Sequence, residues 1–317
     1  MNTDWRPAAS RSVLEARARL LADIRSFFSA RNVLEVETPV LSAAGNTDPN
    51  IAGLWTETIP PAYLRTSPEY AMKRLLAAGL PDIYELGRVF RDGESGRWHN
   101  PEFTMLEWYR LGCAYLELAD EAIELVRHCG GGMFDHWPVK RCTYQDLFLE
   151  HVGLDPHMAD ESEWASKAAE LGIRSTPLDQ QQYQDLLLSH VIQPALEPES
   201  LTLVYDYPAQ QSALAGIRAG NPDVAERFEL YLGGAELANG YHELSDAKQQ
   251  RARFERDKQQ RRFHGRGAPP IDERLISALQ HGMPDCSGVA LGVDRLLMRL
   301  AGLENIDAVL AFPSSRA

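Results

Sequence analysis

The 317-residue sequence predicts an α+β fold, because it combines antiparallel strand pairs with amphipathic helices. Two strand-like runs, Ile83–Arg91 and Glu102–Arg110, are separated by a polar loop and are typical of an antiparallel pair. Two others, Arg227–Leu232 and Ala235–Tyr241, flank Gly233–Gly234, which favours a tight hairpin. Since no repeat, long linker or low-complexity stretch divides the chain, we expect one domain over its whole length.

The N-terminal part of the chain predicts a helix followed by a strand. Ser12–Glu15 has the capping-box pattern, and apolar residues follow at helical spacing, so we expect a helix over about Ser12–Arg31. The run Val33–Leu41 is rich in β-branched residues and ends near Pro39, which indicates a strand closed by proline.

The next helix is predicted at Tyr70–Ala78, since Ser67–Glu69 supplies an N-cap serine, a proline for the first turn and an early carboxylate. Residues 116–191 have a mostly helical pattern, and we interpret residues 116–200 as a helical insertion. The remaining predicted elements are helices at about Ser245–Phe263, Ile271–His281 and Asp294–Leu300, and a strand of small residues at Gly288–Val293.

The composition argues against several classes of protein. The sequence is 44% apolar and 24% charged and has no stretch of 18 apolar residues, so neither disorder nor a membrane span is expected. Met1–Ser10 lacks the features of a secretory signal, and we therefore expect a cytoplasmic protein. The four dispersed cysteines favour neither disulfides nor a zinc site. A net charge of −13 disfavours extensive RNA binding, although it also serves solubility.

The segment around residues 88–109 has the features of a phosphate and purine site. Arginines surround the predicted loop, and a planar guanidinium can hold a phosphate through two hydrogen bonds. Period 2 places Phe103, Met105, Glu107 and Tyr109 on one face of the second strand, so an aromatic ring is available to stack on adenine. The alternative is a hairpin whose arginines form only structural ion pairs. The P-loop, Rossmann, zinc-protease and nucleophile-elbow motifs are absent from the sequence.

Three segments together resemble the three motifs of class II aminoacyl-tRNA synthetases. Arg88–Tyr109 resembles motif 2, and its H-N-P-E-F-T-M-L-E-W-Y run is similar to the lysyl-tRNA synthetase version. Val33–Pro39 resembles motif 1, and Gly288–Arg295 resembles motif 3. The resemblance implies the catalytic fold of that class, a mainly antiparallel sheet flanked by helices, and a two-fold homodimer formed largely through motif 1.

The resemblance also implies an ATP site with Mg²⁺. Arg91 matches the arginine that holds the α-phosphate, and Phe103 with Arg295 matches the pair that sandwiches adenine, so Arg91 and Arg295 are the candidate catalytic residues. Glu229 and Glu236 match the metal carboxylates, although they could also be ordinary surface charges of a hairpin. The other candidate ATP-binding residues are Asp92, Gly93, Arg97, His99, Asn100, Leu237 and Gly292.

The amino-acid site implied by the resemblance is rich in carboxylates. Two ammonium groups need anionic partners, because burying an unpaired ammonium is costly. In lysyl-tRNA synthetases the residues that match Tyr109 and Glu243 bind the ε-ammonium, and those that match Glu69 and Glu107 bind the other end of the substrate. The other candidate substrate residues are Ser67, Pro68, Asn239 and Ala290.

Only 38 residues precede Pro39, which leaves no room for the anticodon-binding domain of lysyl-tRNA synthetases. The shortened layout resembles the lysyl-tRNA synthetase paralogues that attach (R)-β-lysine to a lysine of translation elongation factor P. The resemblance therefore implies activation of (R)-β-lysine by ATP as an adenylate, with elongation factor P and not tRNA as the acceptor. A minimal enzyme that charges tRNA and a non-catalytic regulatory paralogue are the alternatives.

Two departures from the synthetase pattern affect the expected site. Motif 3 usually reads G-x-G-x-G, whereas here Ala290 stands at the central position, and we expect its methyl in the floor of the pocket. Synthetases usually have a glutamate two residues after the motif 2 arginine, but here Gly93 stands at that position and Glu94 follows. Trp98 also separates Arg97 from His99, so the length of the loop differs.

Overall fold

The structure, a computed structural model, describes residues 5–173 and 178–317. In those ranges the helices are α1 (Arg11–Ser29), α2 (Glu69–Ala77), α3 (Tyr115–Gly130), α4 (Tyr144–His151), α5 (Glu161–Glu170), α6 (Gln180–Leu187), α7 (Gln193–Ala195), α8 (Ala247–Phe263), α9 (Glu273–His281) and α10 (Val293–Leu300). The strands are β1 (Leu34–Glu35), β2 (Leu41–Ser42), β3 (Tyr63–Leu64), β4 (Ile83–Phe90), β5 (Glu102–Leu111), β6 (Val139–Thr143), β7 (Leu201–Pro208), β8 (Ile217–Arg218), β9 (Val224–Leu232), β10 (Ala235–His242) and β11 (Cys286–Gly292).

Nine of the strands in the described ranges form one sheet in the order β1-β4-β5-β11-β10-β9-β7-β6, with β8 on β9. The pairs β1–β4 and β6–β7 are parallel, and the other pairs are antiparallel. The predicted mainly antiparallel α+β fold is therefore confirmed. In the part of the chain that the structure describes, no helix has both the length and the apolar character that crossing a membrane requires.

One face of the sheet is closed by α1, α3 and α10. Leu106 and Trp108 of β5 are fully buried in this core, and Phe28 of α1 stacks on Tyr84 with ring centroids 4.4 Å apart. The opposite face, which we call the cavity face, carries the alternate residues of β5. The predicted period-2 alternation of β5 is therefore confirmed, and it separates the core from the candidate site.

A second apolar cluster lies in the region that was predicted to be a helical insertion. It packs α4, α5 and α6 around Tyr144, Trp164 and Tyr207. However, residues 139–143 form strand β6, which extends the main sheet beside β7, and α3 packs in the principal core. The helical interpretation of residues 116–191 was therefore wrong at β6, because a five-residue edge strand leaves too short a pattern to detect.

Smaller corrections concern helix starts and the first strand. Helix α1 is capped by Ser10, whose Oγ accepts from the backbone N of Val13, and not by Ser12. Pro68 is the N-cap of α2 and not its first helical residue. The strand predicted at Val33–Leu41 pairs only at its two ends, in β1 and β2, since the proline-containing middle makes no ladder.

A buried ion pair joins α1, α10 and β5. Asp294 is 1% exposed, pairs with Arg17 and accepts a 2.6 Å hydrogen bond from the backbone N of Thr104. Arg17 also donates to the carbonyl of Val309 at 3.0 Å. These bonds fix the start of α10, which carries Arg295, against the strand that carries the candidate substrate residues.

We predict that Asp294→Ala lowers the free energy of unfolding by about 3–5 kcal/mol, because it leaves the Arg17 charge unpaired in the core. Urea denaturation followed by circular dichroism measures the change. Glu15→Ala is the control, since Glu15 pairs with Arg11 on the exposed face of the same helix and its loss should have little effect. A loss of less than 1 kcal/mol for Asp294→Ala would contradict the prediction.

Candidate active site

A cavity of about 500 Å³ lies on the cavity face of the sheet. It is bounded by α2, by the loop between β4 and β5, and by α6 and α8. Most of the residues predicted from the sequence line it together. These are Ser67, Glu69, Arg91, His99, Asn100, Phe103, Glu107, Tyr109, Glu236, Leu237, Asn239, Glu243, Ala290, Gly292 and Arg295.

Strand register brings residues from distant parts of the chain into rows. Ala290 of β11 lies opposite both Glu107 of β5 and Asn239 of β10. Gly288 lies in the same way between Tyr109 and Tyr241. Because directly opposed residues project from the same face, the two rows form a continuous floor of carboxylate, amide, phenol and methyl groups.

Gly288 is required by the packing of this floor. A Cβ atom there would come within 2.4 Å of both Tyr109 Cε1 and Glu243 Oε1. Any larger residue would therefore displace two of the predicted substrate contacts. The small-residue strand predicted at motif 3 thus permits the neighbouring side chains to converge over β11.

Three carboxylates meet at one end of the cavity. Glu107 is 3% exposed and accepts hydrogen bonds of 2.7 Å from Ser67 Oγ and from Tyr109 Oη. Glu69 and Glu243 form ion pairs with Lys73 Nζ at 2.7 and 2.5 Å. Lys73 was missed from the sequence, although its position four residues after Glu69 on α2 was a usable signal.

Burial raises the pKa of two of these carboxyl groups. The pKa of Glu107 is raised to about 7, chiefly by burial and then by the nearby Glu69 carboxylate. Burial raises the pKa of Glu243 to about 8, although Lys73 opposes the shift. Both carboxyl groups would be stabilised in their ionised form by an added cation, so this end of the cavity suits an ammonium group.

The other end of the cavity is cationic and aromatic. The guanidinium of Arg91 lies 5.2 Å from the ring centroid of Phe103, and its buried Nε has no hydrogen-bond partner. Arg295 donates to the carbonyl of Glu236 at 2.8 Å and to His99 Nε2 at 2.8 Å. Burial, together with Arg295, lowers the pKa of His99, which keeps the ring neutral. A half-buried guanidinium with a free Nε donor beside an aromatic ring suits a nucleotide phosphate and its base.

Five predicted site residues do not line the cavity. One of them, Arg97, points away from it. Arg97 is 57% exposed and pairs with Glu304 at 3.2 Å. Gly93 has φ +73°, the left-handed conformation that favours glycine, and the turn there places Glu94 3.4 Å from Arg91. The five residues outside the lining are Pro68, Asp92, Gly93, Arg97 and Glu229.

Glu229 and Glu236 lie on the neighbouring strands β9 and β10, and Glu236 is near enough to contribute to the raised pKa of Glu229. Glu229 is buried beside Arg227, 2.6 Å away, and accepts from the hydroxyl of Tyr231. Glu236 lies opposite Tyr231 in the register and is 38% exposed toward the cavity. No cluster of three or more potential metal ligands occurs in the described ranges, 5–173 and 178–317. The two carboxylates fit Mg²⁺, which commonly takes one or two protein ligands with substrate phosphates.

Further cavity residues lay outside the sequence predictions. Arg227 donates to Asn239 Oδ1 at 3.2 Å and so orients one of the predicted substrate residues. Tyr241 lies within 3.4 Å of both carboxylate oxygens of Glu69. Helix α6 with its N-cap Asp179, together with α8, contributes charged groups to the lining, namely Asp179, Asp185, Arg256 and Asp257.

Comparison with known families agrees with this geometry. The family model described as tRNA synthetases class II (D, K and N) matches residues 2–316. This chain belongs to the class II tRNA synthetase family. A Vibrio cholerae protein named elongation factor P–(R)-β-lysine ligase is 47% identical over 329 residues, which cover 100% of this chain and 99% of that protein. Proteins of the same name from Proteus mirabilis and Yersinia enterocolitica are each 46% identical and cover 99% of this chain and 98% of their own length.

We predict that Glu107→Gln stabilises the ligand-free protein relative to the wild type, and that this gain is larger at high pH than at low pH. A folded-state pKa of about 7 against an ordinary 4.5 means that the folded protein retains a proton that the unfolded chain releases. The wild type therefore loses stability between about pH 4.5 and 7, whereas glutamine does not titrate. Urea unfolding at pH 5 and 8 should show the variant gaining roughly 1–3 kcal/mol relative to the wild type. An equal difference at both pH values would contradict the pKa assignment.

Proposed function

We propose that this protein activates (R)-β-lysine with ATP and transfers the β-lysyl group to a lysine side chain of translation elongation factor P. The observation that carries the proposal is the cavity itself, which has three carboxylates at one end and an arginine–aromatic cluster at the other. The names of the full-length relatives support the same reaction. As a modifier of a translation factor, the protein would act in the cytoplasm.

The first step joins the two ends of the cavity. The substrate carboxylate attacks the α-phosphorus of ATP, the bond to the β-phosphate oxygen breaks, and pyrophosphate leaves. In this proposal Arg91 holds the α-phosphate and Arg295 holds the adenine, while Glu69, Glu107 and Glu243 hold the ammonium groups. Fixed positive charge of this kind typically contributes about 2.7–4 kcal/mol per contact to a transition state. Magnesium bound by Glu229 and Glu236 would neutralise phosphate charge.

The second step requires an amine. The acceptor lysine nitrogen attacks the carbonyl carbon of the adenylate, the bond from that carbon to the phosphate oxygen breaks, and AMP leaves with an amide formed. The site needs no covalent nucleophile of its own. A net charge of −13 favours approach of a basic protein segment over approach of tRNA.

We also infer that the protein acts as a two-fold homodimer through the motif 1 segment. The support is a group of apolar side chains exposed on that segment and beside it. These are Leu34, Val40 and Leu41. An isologous interface would pair this segment with its own copy and cover those side chains.

The reaction can be tested by pyrophosphate exchange with α- and β-lysine, followed by mass spectrometry of elongation factor P. We expect exchange with β-lysine and a gain of one β-lysyl residue on elongation factor P. Arg91→Ala should abolish both signals while the circular dichroism spectrum is unchanged, because Arg91 binds phosphate at the cavity wall and does not form the core.

Three outcomes would count against the proposal. Labelling of bulk tRNA without any change in the mass of elongation factor P would favour a minimal tRNA-charging enzyme. Absence of exchange with either isomer would favour a non-catalytic paralogue. Full activity of folded Arg91→Ala would remove Arg91 from the mechanism. Lys140→Ala, which changes an exposed cation far from the cavity lining, controls for general charge effects.

Ala290 is the residue that we propose sets the preference between lysine isomers. Its Cα is paired with Glu107 on one side and Asn239 on the other, and it lines the cavity. β-Lysine differs from α-lysine in having one amino group a single carbon further from the carboxylate. A methyl group beside Glu107 therefore acts where the two isomers differ.

We predict that Ala290→Gly improves the use of α-lysine relative to β-lysine. A small change in pocket shape typically shifts discrimination by about 1–3 kcal/mol, which is roughly 5- to 150-fold in the ratio of kcat/KM values. The ratio would be measured by pyrophosphate exchange with each isomer, and the KM for ATP should change little. An unchanged isomer ratio would show that Ala290 does not determine the preference.

A further inference from the structure

Lys73 is a buried cation within the proposed ammonium pocket. Its side chain is 1% exposed, and its Nζ contacts Glu69 of α2 and Glu243 after β10 at the same time. Tyr241 completes the surroundings, with its ring centroid 5.9 Å from Nζ. Lys73 therefore has no route to solvent and joins two of the carboxylates that we assign to the substrate.

The formal charge of this pocket follows from the four charged side chains in it. Glu69, Glu107 and Glu243 contribute three negative charges, and Lys73 contributes one positive charge, so the formal sum is −2. Glu107 contacts only hydroxyl donors, from Ser67 and Tyr109, and so has no cation of its own. A substrate with two ammonium groups would neutralise that total.

A purely structural role does not account for the position of Lys73. If Lys73 only joined α2 to the segment after β10, one carboxylate would be enough to pair with its charge. The second carboxylate would then be buried without a cation of its own, which is unfavourable. Lys73 instead lies between two carboxylates that both line the cavity. Removing it would leave three neighbouring buried carboxylates, and mutual repulsion would favour their protonation.

On the basis of the proposed function, we propose that Lys73 is a positioning residue that favours the ionised forms of Glu69 and Glu243 and sets the formal pocket charge to the value that a diammonium substrate neutralises. Lys73 does not touch the reacting atoms. Its effect reaches the substrate through the two carboxylates.

The ionisable groups around the pocket come from four elements. Burial alone would lower the pKa of Lys73, but the Glu243 and Glu69 carboxylates raise it by more than that, so this ammonium stays charged. Tyr109 and Tyr241 have pKa values raised well above the ordinary value by burial and by the same carboxylates, so both stay neutral. Burial and Glu243 raise the pKa of Cys286, which also stays neutral. The groups that titrate in the neutral range are therefore the carboxylates.

The test is the pH dependence of kcat/KM for the amino acid, measured by ATP–pyrophosphate exchange from pH 6 to 9 in wild type and Lys73→Met. Without Lys73 the carboxylates protonate at higher pH, so the acid limb should move up by about one pH unit or more. At pH 7 we expect a loss of at least about tenfold, mainly in KM, with recovery toward pH 9. Arg74→Met removes an exposed cation from the same helix and should leave the profile unchanged.

A double variant keeps the test informative if Lys73→Met does not fold. Lys73→Met/Glu69→Gln removes one positive and one negative charge, so Glu107 and Glu243 again give −2. The acid limb of the double variant should lie closer to the wild-type limb than the limb of Lys73→Met does. If Lys73→Met is insoluble, the acid limb of the double variant should lie within about half a pH unit of the wild-type limb.

Two results would overturn the role of Lys73. One is a pH-independent loss in Lys73→Met together with a lower melting temperature, which a structural residue would give. The other is an acid limb in the double variant that is displaced as far as in the single variant. A wild type that activates neither lysine isomer would instead contradict the proposed function.

Discussion

Burial of negative charge is the constraint on which the rest of the site depends. Five glutamates are buried in the described ranges, and each ionised carboxylate in such a place would be strongly destabilising without a partner. Arg65 pairs with Glu85, Arg227 with Glu229, and Lys73 with Glu69 and Glu243. Glu107 alone among them has only hydroxyl donors. The fold thus gives Glu85 and Glu229 a cation each and shares Lys73 between Glu69 and Glu243, so the three pocket carboxylates keep a formal charge of −2.

The sheet makes this distribution possible. One row of residues crosses five strands in the order Glu85, Glu107, Ala290, Asn239 and Glu229. Glu85 and Glu107 are directly opposed in this row, so the charge of Glu85 needs a partner of its own. Ala290 and Asn239 separate Glu107 from Glu229, while Arg65 reaches Glu85 over Gly87, where a Cβ would lie 2.3 Å from its guanidinium. Small residues at β4 and β11 are therefore as important to the electrostatics as the charged groups themselves.

The sequence predicted the central strands well because their signals are local. The alternation in β5 and the glycine pair between β9 and β10 depend on neighbouring residues alone, and the structure contains both as predicted. Strand β6 left too short a pattern to detect. The spacing of Lys73 from Glu69 indicated a pair within α2, but the contacts of Lys73 and Arg227 with other elements depend on which elements meet in space. The sequence alone indicates that Lys73 is an ordinary cation on a helix surface, because its second partner, Glu243, lies 170 positions later in the chain. Arg97 shows the converse, because its motif position was informative but its side chain turns to Glu304.

Charge and shape have separate effects in this pocket. α-Lysine and β-lysine both carry two ammonium groups, so a pocket with a formal charge of −2 attracts the two isomers almost equally and excludes amino acids with one ammonium. Discrimination between the isomers must then come from the position of the proximal amine against the floor of the pocket. Ala290 is the floor residue opposite Glu107, and a methyl group costs nothing electrostatically. In the proposed function, the carboxylates and Lys73 would therefore determine the class of substrate and packing at β11 would determine the isomer, so that one property could change without loss of the other.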